Sequence, residues 1–389
     1  ESSGGYSALR KALRTDPQDI IDEIGLSRLV GRGGAAFPVA RKWSAVRQEA
    51  AAPKYVVCNA DEGEPGTFKD RIILRKDPHL LLESLIIAGY AVGAQQGYIY
   101  IRGEYLPEIE SIEKAILQAQ EKGYLGDNIL ESGFSFKIEV YKGAGAYVCG
   151  EETSLIESMA GMRPAPTARP PFPAQVGFLG KPTAVNNVET LANIPAIINN
   201  GASWYTQIGS PNSPGTKLFS LSGHIRNPGV YEAPLGIRLR DLIEEYGGGI
   251  RGEFKAVLPG GISSSLITNL EINLDYTSVS QAGSTLGPAS VIVINQDLSL
   301  IDVSVNAVQF FSRESCGKCS VCREGTRNSL EMLKRFLRGE ARTEDIDLII
   351  ELSQVMRDTA CCVLGQVALN VPVSAIRLFR REFESGVGS

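Results

Sequence analysis

Lys54-Tyr55-Val56-Val57-Cys58-Asn59-Ala60-Asp61-Glu62-Gly63-Glu64-Pro65 is the stretch on which the fold turns. Its first five residues have the length and β-branched content of a strand, and the run stops at a polar, acidic loop. Tyr98 to Ile101 and Phe136 to Tyr141 read the same way. Helical spacing fills the intervals, over Asp77 to Tyr90 and Leu106 to Lys122. Asp77-Pro78 suits a capping residue followed by proline at the first helical position. Strands alternating with helices predict an α/β layer with much of its sheet parallel. Ligands of such sheets bind beyond the carboxyl ends of the strands, which makes Asn59 to Pro65 a candidate site.

Beyond this stretch the texture changes twice. A Pro-rich run, Arg163 to Pro173, follows the third strand. From about Thr216 short strands are broken by Gly and Pro: Lys217–Ser222, Gly229–Glu232 and Ala256–Leu258. With them stand one amphipathic helix, Arg238 to Tyr246, closed by Gly247-Gly248-Gly249, and a Ser/Gly-rich loop near Ser278 to Pro288. From Ile301 the pattern is helical, over Ser304–Phe311, Thr326–Leu337, Thr343–Met356 and Val373–Phe383, as in a small helical bundle. The 389 residues therefore divide, on sequence, at 1–215, 216–300 and 301–389.

Composition narrows the function. Lys+Arg 39 against Asp+Glu 44 leaves a net charge of −5, which opposes a general nucleic-acid binder. No run reaches the ~18 apolar residues of a membrane span, and no basic region leads into an apolar core at the start of the sequence, so direct membrane insertion is not expected and a cytoplasmic location is. Two histidines, His79 and His224, leave little room for His-dependent chemistry.

Cys316-Gly317-Lys318-Cys319-Ser320-Val321-Cys322, with Cys362 forty residues on, carries the strongest chemical signal. Three thiolates at this spacing and one remote thiolate make the ligand set of a [4Fe–4S] centre. Tetrahedral zinc is the rival, although its sites usually pair two C-x-x-C units and the remote half here is Cys361-Cys362. Gly31-Arg32-Gly33-Gly34-Ala35-Ala36-Phe37, ahead of a helix over Ala40–Gln48, exposes main-chain N–H groups where a phosphate can sit. It lacks both the Rossmann glycine spacing and the P-loop Lys-Ser/Thr, and a tight turn is the plain alternative. Asn59, Asp61, Glu62 and Glu64 could hold ribose hydroxyls and amide edges, bind a divalent metal, perform acid–base work, or act as a solvated loop. Gly143 to Glu152 again sets glycines and acids at a strand-to-helix junction. Asn186-Asn187-Val188-Glu189-Thr190 reads as the polar start of a helix running towards Ile198, as a cap or a ligand site.

Together these motifs resemble the flavoprotein subunit of NADH dehydrogenases, as found in respiratory complex I and in the diaphorases of NAD-linked hydrogenases and formate dehydrogenases. The resemblance runs from about Gly5 to Phe383. It implies an FMN-binding α/β domain, a ubiquitin-like β-grasp (α+β) domain and a C-terminal four-helix bundle carrying a [4Fe–4S] cluster. It implies contacts to the FMN phosphate and neighbouring groups at Gly31, Arg32, Gly33 and Lys42, and ribityl and isoalloxazine contacts at Asn59, Asp61 and Glu62. Gly150, Glu151, Asn186, Asn187 and Thr190 would complete the flavin site. For NADH it implies Glu64 at the nicotinamide, Phe37 and Phe172 at the adenine, Glu152 at ribose hydroxyls, and Tyr147 and Arg169 in the pocket. Arg169 replaces a common lysine. Cys362, three before Gly365, aligns with the fourth cluster ligand, and Cys361 is its neighbour or an alternative ligand. Cys58 and Cys149 read as core thiols. The implied partners are iron–sulfur subunits, a thioredoxin-like [2Fe–2S] subunit and a ferredoxin-domain or hydrogenase subunit. Leu364-Gly365-Gln366 leans towards the hydrogenase-type complexes, electron-bifurcating ones included.

Overall fold

The computed structural model describes residues 4–387. The chain packs as two compact units. The first takes the chain up to Gly63, Phe68–Leu218 and Glu232–Gly236; the second takes Glu64–Thr67, Phe219–Tyr231 and the chain from Ile237 onward.

In the first unit the three expected strands form as β1 (Tyr55–Ala60), β2 (Gln96–Arg102) and β3 (Lys137–Gly143). A fourth, β4 (Thr183–Asn187), completes an all-parallel sheet in the order β3-β2-β1-β4. Sequence reading missed β4, because two asparagines at its end look like a helix start. They are both: Asn186 still pairs with Cys58 of β1, and Asn187 caps the next helix. That helix, Val188–Ala192, gives way at Asn193 to a second, Ile194–Asn200. Pro195 explains the break, since it has no N–H to continue the ladder.

Period-two alternation sends Val56, Cys58, Ala60, Ile99 and Ile101 into the main apolar core. Helix Pro78–Val92 is buried over most of its circumference, with Asp77 capping Leu80 N at 3.2 Å and Gly93 closing it at φ 80. The fully buried Phe136 ring leaves no room for a side chain at two neighbours. A Cβ on Gly89 would lie 2.3 Å from it and one on Gly97 2.7 Å.

The second sheet runs in the order Gly229–Pro234, Thr216–Gly223, Ser290–Asn295, Phe254–Leu258. Ser290–Asn295 pairs parallel with one neighbour and antiparallel with the other. Part of the expected Ser/Gly-rich loop is a helix, Tyr276–Gln281, because Asp275 caps it at Ser278 N, 2.8 Å away. The four longer helices beyond are Leu300–Glu314, Ser320–Arg338, Thr343–Thr359 and Asn370–Leu378. Each packs against two of the others. The last ends short of the expected Phe383: Phe379, at φ −134 and ψ 42, breaks it from Arg380–Glu384. No helix among the described residues is long and apolar enough to cross a membrane.

Candidate functional site

The carboxyl ends of β1 and β4 lie side by side, and most of the expected flavin residues gather there. Asn59 donates through Nδ2 to Gly150 O at 2.9 Å and accepts from Asp61 N at 3.0 Å. Asp61 and Glu62 are both buried. Asp61 Oδ1 stands 3.7 Å from Arg102 at the end of β2. Glu62 Oε1 accepts from Lys69 N and Asp70 N, each at 2.8 Å. Burial, then the nearby Asp70 carboxylate, push the Glu62 carboxyl up to about 7, against the lowering effect of Lys69, the Asp70 N–H and Arg71.

The glycine loop abuts this cluster. Gly31 N donates to Phe37 O at 2.9 Å, folding the loop back on itself. Gly34 takes φ +130, which favours glycine, whereas Gly33 is glycine for a different reason: a Cβ there would stand 3.0 Å from Asn187 Cβ. Arg32 turns inward. Its side chain is fully buried and donates to Tyr205 Oη and Pro214 O, both at 2.8 Å, while its N–H donates to Thr190 Oγ1 at 2.8 Å. Arg32 thus braces the loop from within and does not offer its guanidinium at the loop's surface. Asn186 likewise serves the interior, accepting from Trp43 Nε1 at 2.9 Å.

Glu151 caps helix Glu152–Met159, accepting from Thr153 N at 3.0 Å and Ser154 N at 2.9 Å. Its second oxygen meets Arg169, whose guanidinium also lies 3.3 Å from Glu152. Lys42 Nζ bridges Glu152 Oε2 and Val185 O, each at 2.8 Å. Tyr147 packs on the backbone at Gly63, where a Cβ would approach its ring to 3.1 Å. Phe37 and Phe172 are exposed, 43% and 50%. Glu64 belongs to the second unit, where its carboxylate accepts from Ser263 N at 2.9 Å and Ser263 Oγ at 2.7 Å. Cys58 and Cys149 are buried; His79 meets Tyr6 and Gln118, and His224 meets Val293 O, so both histidines have structural partners.

The cysteines gather at the head of helix Ser320–Arg338. Burial raises the Cys322 thiol to about 11, against the lowering effect of a hydrogen bond with Ser315, and Cys319, Cys362 and Cys316 raise it further. At Cys319 burial acts upward, but hydrogen bonds from the Cys361 and Cys322 main chain outweigh it and lower the thiol. Cys361 is exposed, Cys322 buried. Gly365 is fixed by this arrangement: a Cβ would lie 2.7 Å from Ala360 Cβ and 3.2 Å from Cys322 Sγ. Among the described residues no three His, Cys, Asp or Glu side chains converge as ligands of a single metal ion do. Three cysteines at the head of one helix and Cys362 on the segment whose Gly365 packs on Cys322 suit a cluster, which takes one ligand at each iron.

Residues 24–196 match the family model of the Nuo51 FMN-binding domain, 218–256 that of the SLBB domain, and 302–386 that of the NADH-ubiquinone oxidoreductase-F iron-sulfur binding region. A polypeptide of the NADH-quinone oxidoreductase of Rhizobium meliloti is 48% identical over 388 residues, covering 98% of this chain and 92% of that protein. The chain belongs to the family of NADH dehydrogenase flavoproteins. The family's cofactors are accordingly FMN and a [4Fe–4S] cluster, and the iron–sulfur match decides against zinc. HndC, from the NADP-reducing hydrogenase of Solidesulfovibrio fructosivorans, is 46% identical, over 98% of this chain and 79% of that one. A crystal structure of NAD+-reducing [NiFe]-hydrogenase in the H2-reduced state superposes with a TM-score of 0.88 at 36% identity. That match covers 96% of this chain but 63% of the hydrogenase chain.

Sequence reading passed over Lys69, Asp70, Glu189, Lys217 and Arg102, which tie the site together. Lys69-Asp70 follows the acidic loop by a few residues and is visible as a charged pair. Nothing local marks Lys217, which sits in a strand and meets Glu189 only through the fold.

Proposed function

We propose that this chain oxidises NADH at its flavin and passes electrons singly through its own cluster to iron–sulfur partner subunits of a hydrogenase-type complex. Two features of one chain carry this reading: a glycine loop packed on Asn187 at the carboxyl ends of a parallel sheet, and a three-cysteine run with a remote Cys362 inside the segment that matches the iron–sulfur family model. FMN supplies the conversion between a two-electron hydride and one-electron transfer. The chain's residues bind and orient. The loop Gly31–Gly34 and Lys42 hold the phosphate end, with Asn187 and Thr190 behind the loop; Asn59, Asp61, Glu62, Gly150 and Glu151 shape the flavin bed, and Cys316, Cys319, Cys322 and Cys362 ligate the cluster. Glu64, Phe37, Phe172, Tyr147, Glu152 and Arg169 receive NADH. The β-grasp module spans 216–300 and the cluster module 301–389, in line with the segments that the family models match. The Leu364-Gly365-Gln366 motif supports the hydrogenase-type setting, and the similar identities to HndC and to the NADH-quinone oxidoreductase polypeptide keep complex I, with NAD-linked formate dehydrogenase, as the related alternatives; a cytoplasmic location, peripheral to a membrane only through partner subunits, goes with it.

Stopped-flow absorbance at the flavin band tests the reading. NADH should bleach the flavin in wild type and in a folded, cluster-depleted Cys319→Ser variant, which should fail to reduce its partner subunits. Glu64→Gln should keep FMN yet bleach slowly, and a normal rate removes the nicotinamide assignment. Gly33→Val should lose FMN, because its side chain would displace Asn187.

A further inference from the structure

Asn187 has three engagements. Its Oδ1 accepts from Glu189 N at 3.0 Å and Thr190 N at 3.4 Å, its Cβ forms the wall behind Gly33, and its Nδ2 donates to Asp70 Oδ2 at 2.6 Å. The other oxygen of Asp70 takes Lys69 Nζ at 2.7 Å. Lys69 also reaches Glu189 Oε2 at 2.8 Å, and Lys217 pairs with that same oxygen at 2.5 Å. None of these four charged side chains is more than 4% exposed.

Four charges sealed from water are a poor means of stabilising a fold, since apolar residues of the same volume often do as well. What charges provide is direction. Here they run Lys217–Glu189–Lys69–Asp70 and end on the amide of Asn187, the residue that meets the glycine loop. Glu189 and Thr190 add a second tie: the helix held by the lysines offers Thr190 Oγ1 to Arg32 N within that loop.

We propose that Asp70 is a positioning residue for the flavin-phosphate loop: through Asn187 it sets the wall against which Gly33 packs, and Lys69, Glu189 and Lys217 fix Asp70 in turn. This rests on the reading that Gly31–Gly34 holds the FMN phosphate. A carboxylate accepts from Lys69 and Asn187 at once, whereas the amide of an Asp70→Asn variant has one acceptor oxygen and must turn its NH2 towards one of the two donors. The loop then loses its wall while the bed for the isoalloxazine keeps its own residues.

The test titrates the flavin-free full-length chain with FMN and with riboflavin, following flavin fluorescence. The ratio of the two dissociation constants isolates the phosphate. Asp70→Asn should weaken FMN by about tenfold, the loss of one charge-assisted hydrogen bond, and leave riboflavin within about twofold. Should the single variant not fold, Lys69→Met/Asp70→Leu removes a cation and an anion together, leaves Glu189 with Lys217, takes every acceptor away from the Asn187 amide, and should shrink the ratio in the same way. An unchanged ratio in the folded variants, or equal weakening of both flavins, overturns the proposal. If instead wild type binds both flavins equally and Gly33→Val keeps FMN, the phosphate-loop reading itself fails, and the proposal goes with it.

Discussion

Replacing Glu62 by Gln removes a carboxyl that the fold holds near neutrality, and the consequence for stability can be worked out. Glu62 is 7% exposed and raised from an ordinary 4.5 to about 7, by burial first and Asp70 second. A raised carboxyl pKa means that the folded chain binds a proton more tightly than the unfolded chain. The stability this contributes is fully present below pH 4.5 and is lost as pH rises through 7. A shift of this size corresponds to about 3 kcal/mol. Gln keeps an oxygen to accept from Lys69 N and Asp70 N but cannot ionise, so the wild-type loss should be absent in Glu62→Gln. The two tryptophans, Trp43 and Trp204, both lie in the first unit, so tryptophan fluorescence during urea unfolding of the flavin-free chain reads the unit that contains Glu62. The difference in unfolding free energy, variant minus wild type, should grow by about 3 kcal/mol between pH 4.5 and pH 8. A difference that stays flat across that window, or grows towards acid, would refute the reasoning.

Further outcomes follow from ligation and packing. Cys316→Ser, Cys319→Ser, Cys322→Ser and Cys362→Ser should each lose or damage the cluster by iron and sulfide analysis, and Cys361→Ser should spare it; full iron in Cys362→Ser with loss in Cys361→Ser would exchange the two neighbours. Gly365→Ala should lower iron content without removing any ligand, because its methyl would press on Ala360 and Cys322. Phe136→Ala should cost about 3–5 kcal/mol in the tryptophan-monitored transition, since the ring is fully buried against Gly89 and Gly97.

Whatever depends on neighbours along the chain was legible before any fold was known. Strands β1 to β3, the Asp77 cap, the glycine loop ahead of a helix and the three-cysteine run are all written in short windows, where periodicity, capping chemistry and ligand spacing act locally. The family resemblance worked for the same reason, because its motifs are contiguous. What depends on residues far apart had to wait for three dimensions. Thr183–Asn187 became a strand only because β1 offers a parallel edge to Thr-Ala-Val-Asn-Asn, a segment with little strand character of its own. That the Arg32 guanidinium braces the loop from within was decided by Tyr205 and Pro214, more than 170 residues on, which supply its acceptors. The chain from Lys217 through Glu189 and Lys69 to Asp70 has no signature in any window. Buried charges must find partners wherever the fold brings them, and no local pattern of residues encodes that pairing.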